Sequence, residues 1–488
     1  MAVDKTMWTE RARTLAFGLA VMAALLFGLL LVARPAHAAT FTVNSTGDEN
    51  DLDFPGGISN GSSDGRCDVD ANTSGDQCTL RAAIQAASKR RGADTIAFLI
   101  PSNAANCNAT SQVCNIIPAS DLPTVTSRVT IDGYTQPGAT ENTLTQPDKT
   151  DAAIKIQLFG GHAQLSLDPG ASNSVIRGLA IMLCQHNPCD NGILLSGGTG
   201  YRIEGNFIGV GADGTTKFGN VRGVLLNGAS SSTIGGTDAS DGTVDGVVEA
   251  RNLISGNSGD GVHLKGGASG NRIEGNLIGT DRDGTSTPTN PMGNGETGVK
   301  LENSTGNGNR ILSNTIFSNG WVGINLSGGT EDGNGVTVND GDDPNTAKPD
   351  PDADTGPNGL QNNPLITGAQ ILHDPLLGDT TNIGAHLESV PSRKVRRHGR
   401  TKIIRETYTI QFFSSPEPDF PTGYGEGRKF LGEKVVTTDL QGKVTFTYGT
   451  KGVSQGEYIT ATATRNRTGD TSEFSNAMVV TDPGPVGG

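Results

Sequence analysis

A repeated four-residue unit constrains the fold of this chain more than any other sequence feature. The unit reads Gly-(Val/Ile)-x-Leu and begins at Gly192, Gly223, Gly261, Gly298 and Gly323. Successive copies therefore begin 31, 38, 37 and 25 residues apart. Periods of this size are typical of solenoids and propellers, because each repeat is one structural unit that stacks on its neighbours.

A second unit, Arg-Ile-x-x-Asn, accompanies the first and begins at Arg202, Arg272 and Arg310. Each repeat thus holds two or three short strand-like segments, with bends at Gly and Asn and no helical periodicity. A propeller blade needs four strands and a more even period. The repeats therefore predict an all-β fold, a right-handed parallel β-helix (a solenoid), in which inserts such as residues 281–293 are surface loops.

Alternation along the strands assigns the two faces of the coil, because successive side chains of a strand point to opposite sides. The residues expected to point inward are Ile193, Leu195, Val224, Leu226, Val262, Leu264, Val299, Leu301, Ile324 and Leu326. The outward residues include four candidate ligand-binding side chains, namely His263, Lys265, Lys300 and Glu302. This outer strip is interpreted either as a solvated sheet face or as a surface for a chain-like ligand.

One asparagine position recurs from coil to coil, at a corner between short strands. It is occupied by Asn206, Asn252, Asn276 and Asn314. Asn tolerates turn conformations and hydrogen-bonds neighbouring backbone. This column therefore predicts a structural ladder inside the coil, and not a ligand site.

The N-terminus predicts export. Basic residues precede an apolar run over about residues 15–32, which ends at Ala36-His37-Ala38, a pattern typical of a signal peptide over residues 1–38. An uncleaved membrane anchor is the alternative. We expect a secreted or cell-surface protein with no membrane insertion after cleavage.

The net charge disfavours nucleic acid as a partner. Residues 1–38 carry four basic and two acidic residues, so their removal changes the formal net charge from −14 to −16.

Six cysteines form three close sequence pairs, Cys67 with Cys78, Cys107 with Cys114, and Cys184 with Cys189. An even number of cysteines in an exported chain favours disulfides over metal ligands. Nearest-neighbour pairing is our choice among the fifteen connectivities that six cysteines allow. Zinc is the alternative, and only His186 lies near one of these pairs.

Four segments carry a resemblance to a known family. Residues 271–281 resemble the repeats of secreted bacterial right-handed parallel β-helix proteins of the pectin-lyase-like fold. Residues 78–84 resemble the CSLREA motif of an N-terminal region common among them, from which Thr79 and Ala82 depart, and residues 130–138 and 356–362 are also similar. The resemblance implies architecture and leaves function open.

The resemblance and the repeats together suggest five segments. Residues 1–38 are the signal peptide, 39–145 a CSLREA-like capping region, 146–364 the β-helix, 365–482 a C-terminal antiparallel β-sandwich, and 483–488 a tail. The capping region contains an amphipathic helix with Leu80, Ala83, Ile84 and Ala87 on one face, followed by a strand. The C-terminal domain is interpreted as an adhesive module or as a cap.

Alternating carboxylates suggest a metal site before the C-terminal domain. The candidate ligands are Asp340, Asp342, Asp350, Asp352 and Asp354. Oxygen ligands at every second residue are typical of calcium loops. A simple acidic linker is the alternative, because the segment departs from the EF-hand pattern.

A basic run stands out in this acidic chain. It comprises Arg393, Lys394, Arg396, Arg397, His398, Arg400, Lys402 and Arg405, of which Arg393, Arg396, Arg397 and Arg400 are the candidate ligand-binding residues. Clustered Arg and Lys bind anionic glycans or envelope phosphates through charge and hydrogen bonds. A solvated hairpin loop is the alternative.

These features favour a secreted or cell-surface protein that binds polysaccharide or mediates adhesion, with polysaccharide or cell-envelope glycan as its partner. The alternative is a polysaccharide lyase or glycoside hydrolase acting on an acidic, pectin-like polysaccharide, because enzymes of these classes share the resembled fold. The outer strip offers the best local catalytic candidates, but no familiar active-site motif accompanies them. Calcium is the one cofactor that the sequence suggests.

Overall fold

The computed structural model describes residues 38–53, 65–90, 92–184, 190–240, 242–339, 355–376, 378–397, 400–418 and 423–484. Residues 39–488 form one compact unit. The predicted signal peptide lies outside the described residues apart from Ala38. No helix within the described ranges is long and apolar enough to cross a membrane.

Most of this unit is built from short strands. In chain order they begin with β1 Thr40–Val43, β2 Asp94–Phe98, β3 Cys114–Ile116, β4 Val129–Asp132, β5 Ile156–Phe159, β6 Leu165–Leu167, β7 Val175–Arg177, β8 Leu179–Met182, β9 Asn191–Ser196, β10 Arg202–Glu204, β11 Phe207–Ile208, β12 Arg222–Asn227, β13 Thr233–Gly235, β14 Leu253–Ile254, β15 Val262–Lys265, β16 Arg272–Glu274, β17 Leu277–Ile278, β18 Val299–Leu301, β19 Arg310–Leu312, β20 Thr315–Ile316 and β21 Ile324–Leu326. The helices of the described residues are α1 Leu80–Ser88 and four 3-10 turns, Gly133–Thr135, Pro169–Ala171, Asp238–Ser240 and Pro357–Leu360.

These 21 strands form three parallel sheets that run the length of the coil. Sheet 1 has the order β1-β2-β4-β7-β10-β13-β16-β19, sheet 2 the order β20-β17-β14-β11-β8-β5-β3, and sheet 3 the order β21-β18-β15-β12-β9-β6. The chain visits the three sheets in turn and returns to each one coil later. The prediction of a parallel β-helix is therefore confirmed.

The register of the sheets explains why this sequence coils. In sheet 3 Val224 pairs with Val262 and Leu226 with Leu264, so identical residue types stack along the coil axis. All the predicted inward residues of the first unit are buried. Each buried Val, Leu or Ile contributes about 2 kcal/mol of hydrophobic stabilisation. Repetition of the pattern from coil to coil therefore builds one continuous apolar core.

Buried asparagines form ladders along the corners of the coil. The predicted ladder is present: Asn206 donates through Nδ2 to Asn252, which donates to Asn276, which donates to Asn314. The sequence reading missed two further ladders. They are Asn220–Asn257–Asn294–Asn319 and Asn271–Asn309–Asn358, whose members lie within hydrogen-bonding distance of the next backbone or side chain along the coil. The signal for the first of these is an Asn three or four residues before each Gly-(Val/Ile)-x-Leu unit except the one at Gly192.

Helix α1 closes the N-terminal end of the coil. Thr79 is its N-cap and accepts the backbone N–H of Ala82. Leu80, Ala83 and Ile84 are buried in the main apolar core, as the amphipathic pattern predicts. Sheet 1 itself begins at Thr40, so the N-terminal region supplies strands to the coil as well as the helix that covers it.

The described part of the C-terminal domain is antiparallel. Its strands are β22 Leu365–Leu372, β23 Thr380–Glu388, β24 Arg393–Arg397, β25 Arg400–Ile404, β26 Thr407–Ser415, β27 Lys429–Thr437, β28 Lys443–Thr450, β29 Tyr458–Arg465 and β30 Met478–Val479. Sheets β22-β23-β28 and β27-β26-β29-β30 enclose a separate apolar core, while β24 and β25 form a two-stranded ribbon. The predicted β-sandwich is confirmed.

Polar side chains of the sandwich cover the last coil. Glu426 accepts the backbone N–H of Asn319 and so continues an asparagine ladder with a carboxylate. Gln411 accepts from Ser313 N at the end of sheet 1, and Glu473 accepts from Leu326 N at the end of sheet 3. Because an open coil end exposes unpaired backbone groups, these contacts make the domain a cap of the coil.

Disulfides link Cys67 to Cys78 and Cys107 to Cys114, as the sequence pairs predict. Cys184 is also disulfide-bonded, and its expected partner Cys189 lies outside the described residues.

Candidate functional site

The outer strip on sheet 3 has the predicted register but not the predicted exposure. His263 stands opposite Leu225 on one side and Lys300 on the other. Its side chain points away from the coil interior, yet only 3% of the residue is exposed. The expectation of a solvated His263 is therefore wrong, because its ring is enclosed by neighbouring outward side chains.

His263 is part of a polar network. Its Nδ1 lies 2.8 Å from Oδ2 of the buried Asp260, and its Nε2 lies 3.1 Å from Oε1 of Glu302. The second Asp260 oxygen accepts the backbone N–H of Thr297. Glu302 keeps 40% of its side chain exposed. The network ties adjacent strands together and leaves the imidazole unavailable to a ligand.

Lys265 and Lys300 are partly exposed on the same face. Lys265 stands opposite Asn227, and Lys300 opposite Asn325. The structure thus brings His263, Lys300 and Glu302 together as the sequence predicts. His263, the strongest acid–base candidate of the strip, is nevertheless buried and not accessible to a ligand.

The basic run lies on the ribbon formed by β24 and β25. Arg393, Arg396 and Arg400 are exposed, and the backbone register places Arg397 opposite Arg400. His398 lies outside the described residues. The structure therefore places these candidates on the C-terminal domain, on elements different from those of the outer strip.

The predicted calcium ligands, Asp340, Asp342, Asp350, Asp352 and Asp354, all lie outside the described residues. Within the ranges that the structure does describe, no group of three or more His, Cys, Asp and Glu side chains is arranged to hold a metal ion. Calcium binding by the acidic segment stays a prediction.

The sequence reading missed a cleft on the outer face of sheet 1. Its volume is about 330 Å³. It is lined by Tyr134, Glu141, Arg177, Arg202, Glu204, Ser240, Glu249 and Ala250. The floor comes from one outward column of the sheet, in which Asp132 pairs with Arg177 and Arg177 with Glu204. Adjacent strands lie about 4.8 Å apart, so acidic and basic groups alternate at that spacing.

Both floor arginines are held by carboxylates. Arg177 donates to Asp132 at 2.7 Å and to Glu141 at 2.8 Å, and Arg202 donates to Glu204. The Arg177 guanidinium lies 6.0 Å from the centroid of the Tyr134 ring. Guanidinium groups fixed in this way present their remaining N–H donors in defined directions.

Tyr134 forms one side of the cleft and is fixed by its hydroxyl, which donates to the Gly205 carbonyl at 2.7 Å. Gly205 has a positive φ of 60°, and an added Cβ would collide with the Tyr134 ring. Burial, with the charges of Glu141, Asp132 and Glu204 adding to it, raises the pKa of Tyr134 far above its usual value. The phenol therefore stays neutral and keeps donating its hydrogen bond.

The opposite wall is the connection between β13 and β14, which contributes Ser240 and Glu249. Two hydrogen bonds hold this connection in place. Asn142 donates to Val248 O at 3.2 Å, and the buried Arg251 donates to Pro147 O. Burial lowers the pKa of Arg251 to about 10, with Asp148 acting in the other direction. The anchoring fixes the position of the wall relative to the sheet.

Glu204 is a titratable group of the cleft floor whose pKa is perturbed. Burial raises its pKa, and the charge and hydrogen bond of Arg202 only partly offset that effect. A carboxyl group with a raised pKa holds its proton closer to neutral pH than an exposed one does. The available signal was the repeated Arg-Ile-Glu at residues 202–204 and 272–274, which the sequence analysis used as a repeat unit without considering its Arg and Glu as site residues.

A larger cavity, of about 560 Å³, lies beside sheet 2 and is lined by five amide or hydroxyl side chains, four apolar ones, and Lys155, Asp213 and Arg282. Several of its polar groups are already bonded within the protein. Gln157 donates to Asn115 and accepts from Ala212 N, and Lys155 donates to Ser111 O. The smaller cleft on sheet 1 is the better site, because it combines fixed charges, an aromatic ring and a perturbed carboxyl group.

No family model and no curated protein matches the chain. Among solved structures, one similar protein is the tailspike protein gp49 from Acinetobacter baumannii bacteriophage Fri1, a capsular polysaccharide depolymerase. The two chains are 12% identical, the match covers 80% of this chain and 68% of that chain, and the TM-score is 0.13. At this TM-score, neither function nor site residues are transferred from that protein.

Proposed function

We propose that this protein is a secreted or cell-surface glycan-binding protein and that the sheet 1 cleft is its saccharide site. The observation that carries the proposal is the set of Arg–carboxylate pairs beside the Tyr134 ring in an open cleft. Sugar hydroxyls both donate and accept hydrogen bonds, so fixed guanidinium donors and carboxylate acceptors suit them. The Tyr134 ring offers an apolar surface for the C–H face of a sugar.

The charges of the cleft favour a neutral or amino sugar over a uronate. Arg177 is already shared by Asp132 and Glu141, and Arg202 is paired with Glu204. Glu249 adds a further carboxylate to the lining. An anionic sugar would have to compete with these groups for the arginines, and its charge would be repelled. Hydroxyl groups can bind between the pairs without breaking them.

The disulfides support the expected location outside the cytoplasm. Structural disulfides such as Cys67–Cys78 persist in oxidising compartments and are rare in the cytosol. Export of the chain through residues 1–38 is part of the proposal.

The test compares two arginines of the same repeated motif. Arg202 and Arg272 are each bonded to the Glu two residues later, and their side chains are 55% and 50% exposed. Arg202 lines the cleft, whereas Arg272 is not among the cleft residues. A glycan array identifies a neutral or amino-sugar oligosaccharide, and calorimetry then measures its Kd for the wild type, Arg202→Ala and Arg272→Ala.

We expect Arg202→Ala to weaken binding about tenfold or more, because it removes charge-assisted hydrogen bonds, and Arg272→Ala to leave Kd unchanged. Equal effects of the two substitutions would contradict the proposed site. Absence of any neutral or amino-sugar hit on the array would contradict the proposed ligand class.

Hydrolysis of the bound glycan is the second candidate function, and the raised pKa of Glu204 favours it. A partly buried carboxyl group with a raised pKa is better suited to general-acid catalysis on a glycosidic oxygen than an exposed one. The test is release of reducing ends from the array-positive oligosaccharide by the wild type and by Glu204→Gln. Turnover that Glu204→Gln abolishes supports this candidate. Binding without turnover leaves the glycan-binding function alone.

A further inference from the structure

We infer that the ribbon β24–β25 is a second binding site, which takes a linear anionic polysaccharide. This basic ribbon is defined as residues 393–397 and 400–404 together with Arg405. It lies on the C-terminal domain, whereas the cleft lies on sheet 1. The inference therefore does not depend on the glycan proposed for the cleft.

The first observation is the uncompensated charge of the basic ribbon. The side chains of Lys394, Arg396 and Arg400 are exposed, and in the described part of the chain no carboxylate lies within ion-pair distance of them. The chain as a whole has a formal net charge of −14. Acidic residues are thus abundant in this protein, but those of the described ranges form no ion pair with Lys394, Arg396 or Arg400.

The carboxylate next to the ribbon in sequence is already engaged. Glu406 is buried and forms ion pairs with Arg465 and Arg467, both at 3.1 Å. Although burial opposes it, hydrogen bonds from these two arginines keep the pKa of Glu406 below its usual value. Glu406 therefore does not compensate the positive charge of the ribbon, because Arg465 and Arg467 already pair with it.

The second observation is the architecture of the ribbon. It is a separate two-stranded sheet that pairs with no other strand of the described residues. An isolated hairpin is marginally stable, and cations gathered on both strands add electrostatic repulsion. Lys394 and Arg396 are two residues apart on one face, while Arg393 on β24 and Lys402 on β25 share the other face. Cations on both faces, about 7 Å apart along a strand, suit an extended polymer with repeating negative charges.

The chemistry of the ribbon favours a polysaccharide over other anionic surfaces. Residues 393–405 contain no Phe, Tyr or Trp, the side chains on which unpaired nucleic-acid bases stack. Such a ribbon also has no aromatic anchor for a membrane interface. Guanidinium groups bind carboxylate and sulfate oxygens in a bidentate manner, so a uronate-bearing chain fits the site.

The experiment uses the purified protein with polygalacturonate as the probe and neutral dextran as the uncharged control. The ribbon variant is Arg396→Ser, Arg400→Ser and Lys402→Ser combined. The matched variant is Arg128→Ser, Lys217→Ser and Lys451→Ser combined, which removes the same formal charge from exposed residues elsewhere. Binding is measured by biolayer interferometry at low and high salt, and thermal melting checks that both variants are folded.

We expect the wild type and the matched variant to bind polygalacturonate and not dextran, with binding weakened by salt. The ribbon variant should lose at least about tenfold in affinity for polygalacturonate. Its affinity for the saccharide of the cleft should be unchanged, which separates this inference from the proposed function. Equal loss in both variants would mean that only net charge matters and would overturn the ribbon site.

Two further probes test the choice of partner. They are double-stranded DNA and vesicles of phosphatidylcholine with phosphatidylglycerol. Tighter ribbon-dependent binding to either of them than to polygalacturonate would overturn the assignment to a polysaccharide. Weaker binding to both supports it.

Discussion

The outer faces of sheet 1 and sheet 3 are built by the same repeats, yet they differ in what their charged residues do. On sheet 3 the central polar residues are enclosed: His263 lies between Asp260 and Glu302, and Glu473 covers the end of the sheet. On sheet 1 a cleft stays open between the sheet and the β13–β14 connection. The comparison leads us to assign a role in stability to the enclosed network of sheet 3 and, as proposed above, a role in ligand binding to the ion pairs that line the open cleft of sheet 1.

The largest expected effect is on the apolar side of sheet 3. Leu264 is fully buried and stacks between Leu226 and Leu301. Leu264→Asp should cost about 5 kcal/mol or more, enough to unfold the coil, because it buries an unpaired carboxylate. Circular dichroism of the purified protein measures this. A native spectrum and an unchanged Tm would contradict the assignment of the inner face.

The next largest effect concerns His263. His263→Ala leaves the buried Asp260 without its imidazole partner and should lower the free energy of unfolding by about 3 kcal/mol. Saccharide affinity should not change in the fraction that remains folded. Urea unfolding and calorimetry measure the two quantities. If the substitution abolished binding while leaving stability intact, the roles assigned to sheets 1 and 3 would be reversed.

The pH dependence of stability tests the cover at the end of sheet 3. Burial raises the pKa of Glu473 to about 8, and Glu331 adds to this shift, while hydrogen bonds from Leu326 N and Thr337 lower it. Because the folded-state pKa lies above the unfolded value, its contribution is fully present below the unfolded pKa and is lost as pH rises through about 8.

Glu473→Gln removes this titration. The free energy of unfolding of the variant minus that of the wild type should therefore increase from about pH 4.5 to pH 8. Subtraction removes the contribution of titrating groups that do not interact with Glu473. Urea unfolding at several pH values gives the two curves. A pH-independent difference would show that Glu473 does not titrate in this range.

The smallest effect on stability is expected on sheet 1. Arg202→Ala and Arg272→Ala each remove a half-exposed ion-pair partner and should cost about 1 kcal/mol. Glu274 is more deeply buried than Glu204, so the Arg272 substitution should cost at least as much as the other. Differential scanning calorimetry measures both. A much larger cost for Arg202→Ala would mean that its effect on binding reflects damage to the fold.

The fold could be predicted from the sequence because the apolar pattern that determines it is repeated along the chain. Val262 and Leu264 recur in register with equivalent residues of the neighbouring coils, and alternation decides which side chains face inward. The N-terminal cap followed from the need to cover open strand edges, whereas the sequence left the C-terminal domain open between an adhesive module and a cap. The asparagine column was also recognised, although two of the three ladders were missed.

The site could not be read from the repeats, because the burial of outward residues depends on what surrounds them. His263 and Lys300 occupy one column, but only His263 is enclosed. The same Arg-Ile-Glu sequence occurs at residues 202–204 and 272–274, but only the first copy lines the cleft. Loops that differ from coil to coil form the walls, and their positions are not encoded in the repeated pattern.

The most direct test of the central claim is hydrogen–deuterium exchange with and without the saccharide identified on the array. Bound ligand should slow exchange in peptides containing Tyr134, residues 202–206 and residues 248–250, because these segments form the cleft. Peptides covering β15 and β18 on sheet 3 should be unchanged. Slowed exchange confined to sheet 3, with no change around Tyr134 and Arg202, would contradict the account.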